Sequence, residues 1–108
     1  MVSFSSVSNL VRRIHTINQG WKVARERFGA DDALARSLRD LKSRLQVRLL
    51  RHPDADVRIE HDADFESEII YSIRVSDAAN TLSSDAAHIP HRVLAQHLST
   101  TEMRGLQS

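Results

Sequence analysis

Apolar residues recur along the first quarter of the chain in a strict rhythm. Val7, Leu10, Ile14, Ile17, Trp21, Ala24 and Phe28 are spaced alternately by three and four. That spacing keeps one stripe of an α-helix apolar, as in a heptad seam, and predicts a helix over 6–28, roughly 33 Å long. Gly20 lies inside it and costs about 1 kcal/mol relative to Ala. Gly29 follows as a C-terminal cap, and Asp31 or Asp32 is suited to cap the next helix. A second seam, Leu34, Leu38, Leu41, Leu45 and Leu49, predicts a helix over 32–52 that stops before Pro53. Two seams joined by so short a link form an antiparallel αα-hairpin.

On the wheel of the second helix, Arg36, Arg44 and Arg51 lie opposite the leucine arc, and Lys42 and Arg48 flank it. Their long stems are expected to cover the seam while the charges stay in water. Val47 and Leu50 also point toward the back. A helix apolar on both sides near its end is covered there by another element, so its last two turns are expected to pack under the segment that follows.

After Pro53 the period changes to two. Val57, Ile59 and His61 alternate with Arg58 and Glu60; Ile69, Tyr71, Ile73 and Val75 alternate with Glu68, Ile70, Ser72 and Arg74. β-Branched residues at that period predict two strands, and the polar link between them makes a β-hairpin over 55–76. Arg58 and Glu60 are expected to pair across to Arg74 and Glu68 on its exposed face. A lone hairpin is marginal, so it must lie on the helices. Residues 77–88 are small and polar, a loop or short helix. A C-terminal helical segment over 89–106 starts with Pro90 in a first turn, shows Val93, Leu94 and Leu98 as an apolar face, and contains Ser99 and Glu102 in capping-box spacing. The architecture is therefore a single α+β domain over 1–108: an antiparallel αα-hairpin followed by a β-hairpin and one or two short C-terminal helices.

Composition makes the core aliphatic, since only five of the 108 residues are Phe, Trp or Tyr. Such a core is modest, and docking onto a partner or a second copy would strengthen it. There is no cysteine, which excludes disulfides, thiolate metal sites and cysteine nucleophiles and suits a reducing compartment, the cytoplasm. No apolar run approaches the roughly 20 residues that span a bilayer. Residues 1–25 contain Arg12, Arg13, Lys22 and Arg25 with several serines and no acid, the composition of a presequence for the mitochondrial matrix. The seam running unbroken through that segment favours an ordinary first helix instead.

The net charge of +1 hides an asymmetry. Residues 1–52 carry 11 basic and 4 acidic side chains, while residues 53–108 carry 4 basic and 10 acidic. Such blocks steer a partner, or attract each other within the fold or across a dimer; the second use is the simpler expectation. Arginine outnumbers lysine 13 to 2, which GC-rich codons explain as readily as guanidinium chemistry.

Candidate chemistry is sparse. His61, Asp62, Asp64, Glu66 and Glu68 cluster as hard-cation ligands would, but the calcium-loop positions for glycine and glutamate hold Ser67 and Ile73. His88, His91 and His97 are zinc-ligand types without the cysteines that usually complete a structural site. No glycine-rich phosphate loop and no nucleophile elbow is present. The run from Val93 to Leu106 has helix-turn-helix form, yet its second helix carries only Arg104 and includes Gly105, so a packed C-terminal pair is the better expectation.

These features point to a non-catalytic protein–protein interaction module: an adaptor, accessory subunit or inhibitor, without cofactor or metal. Its partner is another protein or a second copy of itself, bound through Arg36, Arg44, Arg51 and Val47 and through the acidic hairpin residues Asp62, Asp64 and Glu66. The alternative is a nucleic-acid-binding regulator that contacts phosphates with Arg12, Arg13, Arg36, Arg39, Arg44 and Arg51.

Overall fold

The computed structural model describes residues 3–65, 68–77 and 80–107. Helix α1 (Ser3–Phe28) and helix α2 (Ala33–Leu50) form the expected antiparallel hairpin. Its turn uses the anticipated chemistry. Gly29 takes a φ of +94°, a left-handed conformation in which a side chain is strained, and its N–H closes on the Arg25 carbonyl at 2.9 Å. Asp32 caps α2 by accepting from the Leu34 amide at 2.9 Å.

Strands β1 (Val57–Phe65) and β2 (Glu68–Val75) make the β-hairpin, and a third strand, β3 (His88–Pro90), joins β2 antiparallel to give the order β1-β2-β3. Before β3 comes a single turn, α3 (Ser84–Ala87); after it come α4 (His91–His97) and α5 (Thr100–Gln107). The segment expected to be helical from residue 89 thus opens as a strand. Pro90 ends that strand as the N-cap of α4 rather than sitting in its first turn, and β3 is held because Gln46 donates to its His88 carbonyl at 2.9 Å.

The hairpin helices lie on the sheet and the C-terminal helices complete the cover, α4 against β2 and α5 against β1. Ile14, Leu45, Leu49, Ile59, Ile73, Ile89 and Leu94 are the largest fully buried apolar side chains. Ile59 stands opposite Ile73 across β1 and β2. Val47 and Leu50 are buried, as their position on the back of α2 required. The N-terminal segment, acid-free through residue 25, supplies Val7, Leu10, Val11 and Ile14 to this core.

Several packing expectations are corrected. The seam is not buried to its tip: Phe28 and Leu34 are 60% and 51% exposed, because the sheet layer does not extend under the helix turn. Lys42 does not snorkel to water but is 6% exposed. The buried face of α2 also includes Ala35, Lys42 and Gln46, which lie to one side of the leucine arc on a wheel of about 100° per residue. On the hairpin, Glu60 takes both Arg74 (2.8 Å) and Arg58 (3.4 Å), whereas Glu68 turns to Arg92 on α4 (2.9 Å). The register also slips between His61 and Ala63, leaving Asp62 as an extra residue in β1. Around that bulge the predicted alternation fails: His61 is exposed and Ile69 is 41% exposed.

Candidate functional site

The helical hairpin and the sheet do not close on each other along one side. Between α1 and α2 on one wall and the start of β2, α3, β3 and α4 on the other lies an open groove of about 1370 Å³. Its cations come from three helices: Lys22 and Arg25 from α1, Arg39, Lys42 and Arg44 from α2, and Arg92 from α4. Asp40, Glu68 and Asp85 are interspersed among them, and Ile70, Pro90 and Val93 supply apolar surface.

At one corner of the groove, Trp21 organises the charges. The Arg25 guanidinium carbon lies 4.4 Å from the indole centroid and the Lys42 ammonium 4.8 Å from it. Both distances fall within the range of cation–π attraction. Arg25 reaches the ring because it follows Trp21 by one helical turn. Lys42 reaches it across the hairpin and donates to the main-chain oxygen of Asp85 at 3.0 Å. The carboxylate of Asp85 is taken separately by Lys22 at 2.7 Å, which holds its pKa below the usual range.

Burial strips water from the Lys42 ammonium and lowers its pKa to about 8; Asp85 opposes the shift, and the like charges of Arg25 and Lys22 add to it. Next along α2, Gln46 fixes the far wall by donating to the Ala86 carbonyl at 2.8 Å and the His88 carbonyl at 2.9 Å.

The sequence-predicted residues fall in several places. Arg39 and Arg44 line the groove. Arg36 stands exposed elsewhere on α2, and Arg12 and Arg13 are exposed on α1. Arg13 meets Arg48 and Arg51 around a smaller depression of about 490 Å³ between the two helices. Arg51 is engaged within the fold, gripping both carboxylate oxygens of Glu102 at 3.0 Å. Val47 belongs to the core.

Asp62, from its bulge, accepts from Ser72 Oγ at 2.8 Å and lies 2.7 Å from His88 Nε2, and both contacts lower its pKa. Asp64 lies in β1, but its side chain falls outside the described residues, as does Glu66 altogether. Among the described hairpin acids, Asp62 is held by Ser72 and His88, while Glu68 pairs with Arg92 and lines the same groove as Arg39 and Arg44. Of the histidines, His88 pairs with Asp62, His91 packs on Tyr71 with ring centroids 5.9 Å apart, and His97 lines the groove. Among the described residues no three histidine, aspartate or glutamate side chains gather as metal ligands would, and no helix is long and apolar enough to cross a membrane.

Comparison of the chain with family models, with curated proteins and with solved structures found no match. The functional reading therefore rests on the groove. Sequence reasoning missed Trp21, Lys22, Arg25, Lys42, Asp85 and Arg92 as its members. Only the Trp21–Arg25 pair had a local signal, an aromatic ring with a guanidinium four residues on.

Proposed function

We propose that this chain is a small non-catalytic protein-interaction module that receives an acidic surface of its partner along α2 and the adjoining groove. One observation carries the reading. Arg36, Arg39 and Arg44 are exposed and make no ion pair with any described residue. Several acids of the chain are engaged elsewhere: Asp85 with Lys22, Glu102 with Arg51, Glu68 with Arg92, and Glu60 with Arg58 and Arg74. The opposed charge blocks of the chain meet within the fold only through Lys22–Asp85 and Arg51–Glu102 among these pairs. Cationic charge left over on one helix is complementary to another molecule and would steer its approach.

The same arginines, with Arg12 and Arg13, suit phosphates, so nucleic acid is the second reading. Two features weigh against it. Asp40 interrupts the basic side of the groove, and Trp21 is half-buried and occupied by Arg25 and Lys42 rather than free to stack on bases.

A random peptide library selected on the native protein, and counter-selected on an R39E/R44E variant, tests the first reading. Enrichment of Asp and Glu on the native chain alone supports it. Anisotropy titrations with duplex DNA and single-stranded RNA at about 50 and 200 mM salt test the second. Tight binding that collapses at the higher salt, paired with no peptide enrichment, would replace the protein-binding reading with the nucleic-acid one.

A further inference from the structure

We infer that Lys42 and Arg25, sharing the indole of Trp21, form an anchoring pocket for a single carboxylate side chain of an extended partner segment in which acids alternate with apolar residues. The inference deepens the protein-binding reading and rests on it.

The pocket is built rather than incidental. Lys42 is 6% exposed and is among the residues that line the groove, so a largely desolvated lysine stands in its wall. An ammonium carries three donors. The fold gives this one a single hydrogen bond, to the Asp85 main-chain oxygen at 3.0 Å, and the face of Trp21 at 4.8 Å. The nearest carboxylate is already committed to Lys22 at 2.7 Å. Arg25, 4.4 Å from the same ring, makes no ion pair with a described residue. A desolvated cation beside a second cation is costly by itself. A carboxylate arriving there would supply the missing acceptor and neutralise the repulsion in a setting of lowered dielectric.

The rest of the groove defines the segment. Asp40, Glu68 and Asp85 stand among the cations, so an unbroken polyanion would meet repulsion along its path. Isolated carboxylates avoid those points. Ile70, Pro90 and Val93 then offer apolar contact to the residues between them. Arg39 and Arg44 are available to a second acid further along.

Capture of the carboxylate favours the charged form of Lys42 and is accompanied by proton uptake at mildly alkaline pH. The groups facing its amine are Lys22 and Arg25 from α1 and Asp85 from α3, with His88 of β3 lining the same groove. The free amine loses its proton near pH 8, so affinity is highest below that pH and declines as the pH rises through it.

The test uses a fluorescein-labelled peptide of about 12 residues, with Glu at regular intervals among Leu, Ala and Ser, and its Gln counterpart. Anisotropy is read between about pH 7 and 9.5 for the native chain, K42Q, K42R and R44E. The inference expects the Glu peptide to bind the native chain about tenfold more tightly than K42Q and to weaken several-fold across that pH range. K42R, which stays charged, should keep the affinity and lose the pH dependence. K42Q binding like the native chain, with R44E weakened, would overturn the anchor while leaving the groove as the docking site. No difference between the Glu and Gln peptides on any variant would overturn both. Duplex DNA bound more tightly than the Glu peptide would transfer the site to phosphate.

Discussion

Arg51, the residue that ends α2, holds both carboxylate oxygens of Glu102 at 3.0 Å, and Glu102 is at the same time the returning half of the α5 capping box. Its Oε1 accepts from the Ser99 amide at 3.0 Å while its own amide donates to Ser99 Oγ at 3.1 Å. One carboxylate therefore starts α5 and ties it to the helical hairpin. The Arg51 hydrogen bonds, then the Ser99 amide, hold its pKa down to about 2.

A depressed carboxylate pKa sets the sign of an acid effect. The folded chain resists protonating Glu102 while the unfolded chain takes the proton near its ordinary value of 4.5. The contribution is thus complete above that value and fades as the pH falls toward 2. Urea unfolding of the native chain and of E102Q at several pH values should give curves that converge in acid. Parallel curves would mean the carboxylate is not specially held. Ser99→Ala, which removes the cap hydroxyl alone, should cost about 1 kcal/mol at neutral pH.

The two helical-hairpin glycines should respond in opposite directions to the same substitution. Gly20→Ala adds a methyl group 3.7 Å from Leu38 Cδ1, an ordinary contact, inside a helix where Gly is the poorer former. It should stabilise by about 1 kcal/mol. Gly29→Ala meets no atom within 4 Å, yet must hold φ at +94°. It should destabilise by about 1–2 kcal/mol. Thermal unfolding of both variants decides this; a stabilised Gly29→Ala would mean the turn relaxes to another conformation.

Legibility in the sequence followed the range of the interactions. Gly29, Asp32 and the Ser99–Glu102 pair each act within a few residues, and each was readable. The two seams and the alternation of β1 and β2 were readable because a period reports which side of an element is covered. It does not report how far the cover extends, so Phe28 and Leu34 were assigned to a seam that ends before reaching them. Nor does a wheel show a neighbour arriving from the side. Lys42 reads as a solvated flank until α3 is laid against it, and β3 reads as a helix start until Gln46 and β2 claim its three residues. The groove draws on six elements at once, so its composition had no signature in any one segment.

Gln46 is the most exacting of those long-range contacts. Its side chain is 1% exposed, and its amide nitrogen serves the carbonyls of Ala86 and His88. Gln46→Leu keeps a similar size but leaves two carbonyls without that donor. The expected loss is about 2–4 kcal/mol, with faster hydrogen exchange concentrated at β3 and its β2 partners. Gln46→Glu should be worse at neutral pH, since a buried carboxylate would face two carbonyl oxygens. If Gln46→Leu proves as stable as the native chain, β3 is held by its strand pairing alone.

Trp21 is the sole tryptophan, and the Lys42 amine lies over its ring, so its emission reports directly on that amine. Loss of the proton near pH 8 removes a positive charge 4.8 Å from the indole. The emission should therefore titrate with a midpoint near 8 in the native chain and stay flat in K42R. Stability should follow with a definite sign. In the folded chain Lys42 gives up its proton near 8; in the unfolded chain it keeps it to about 10.5. Between those values the unfolded state binds more protons, so stability rises with pH, the reverse of a lysine gaining a partner. Urea midpoints measured from about pH 7.5 to 9.5 should climb for the native chain relative to K42R. An emission curve without a step near 8, or one identical in K42R, would return Lys42 to an ordinary solvated lysine and remove the basis for a carboxylate pocket at Trp21.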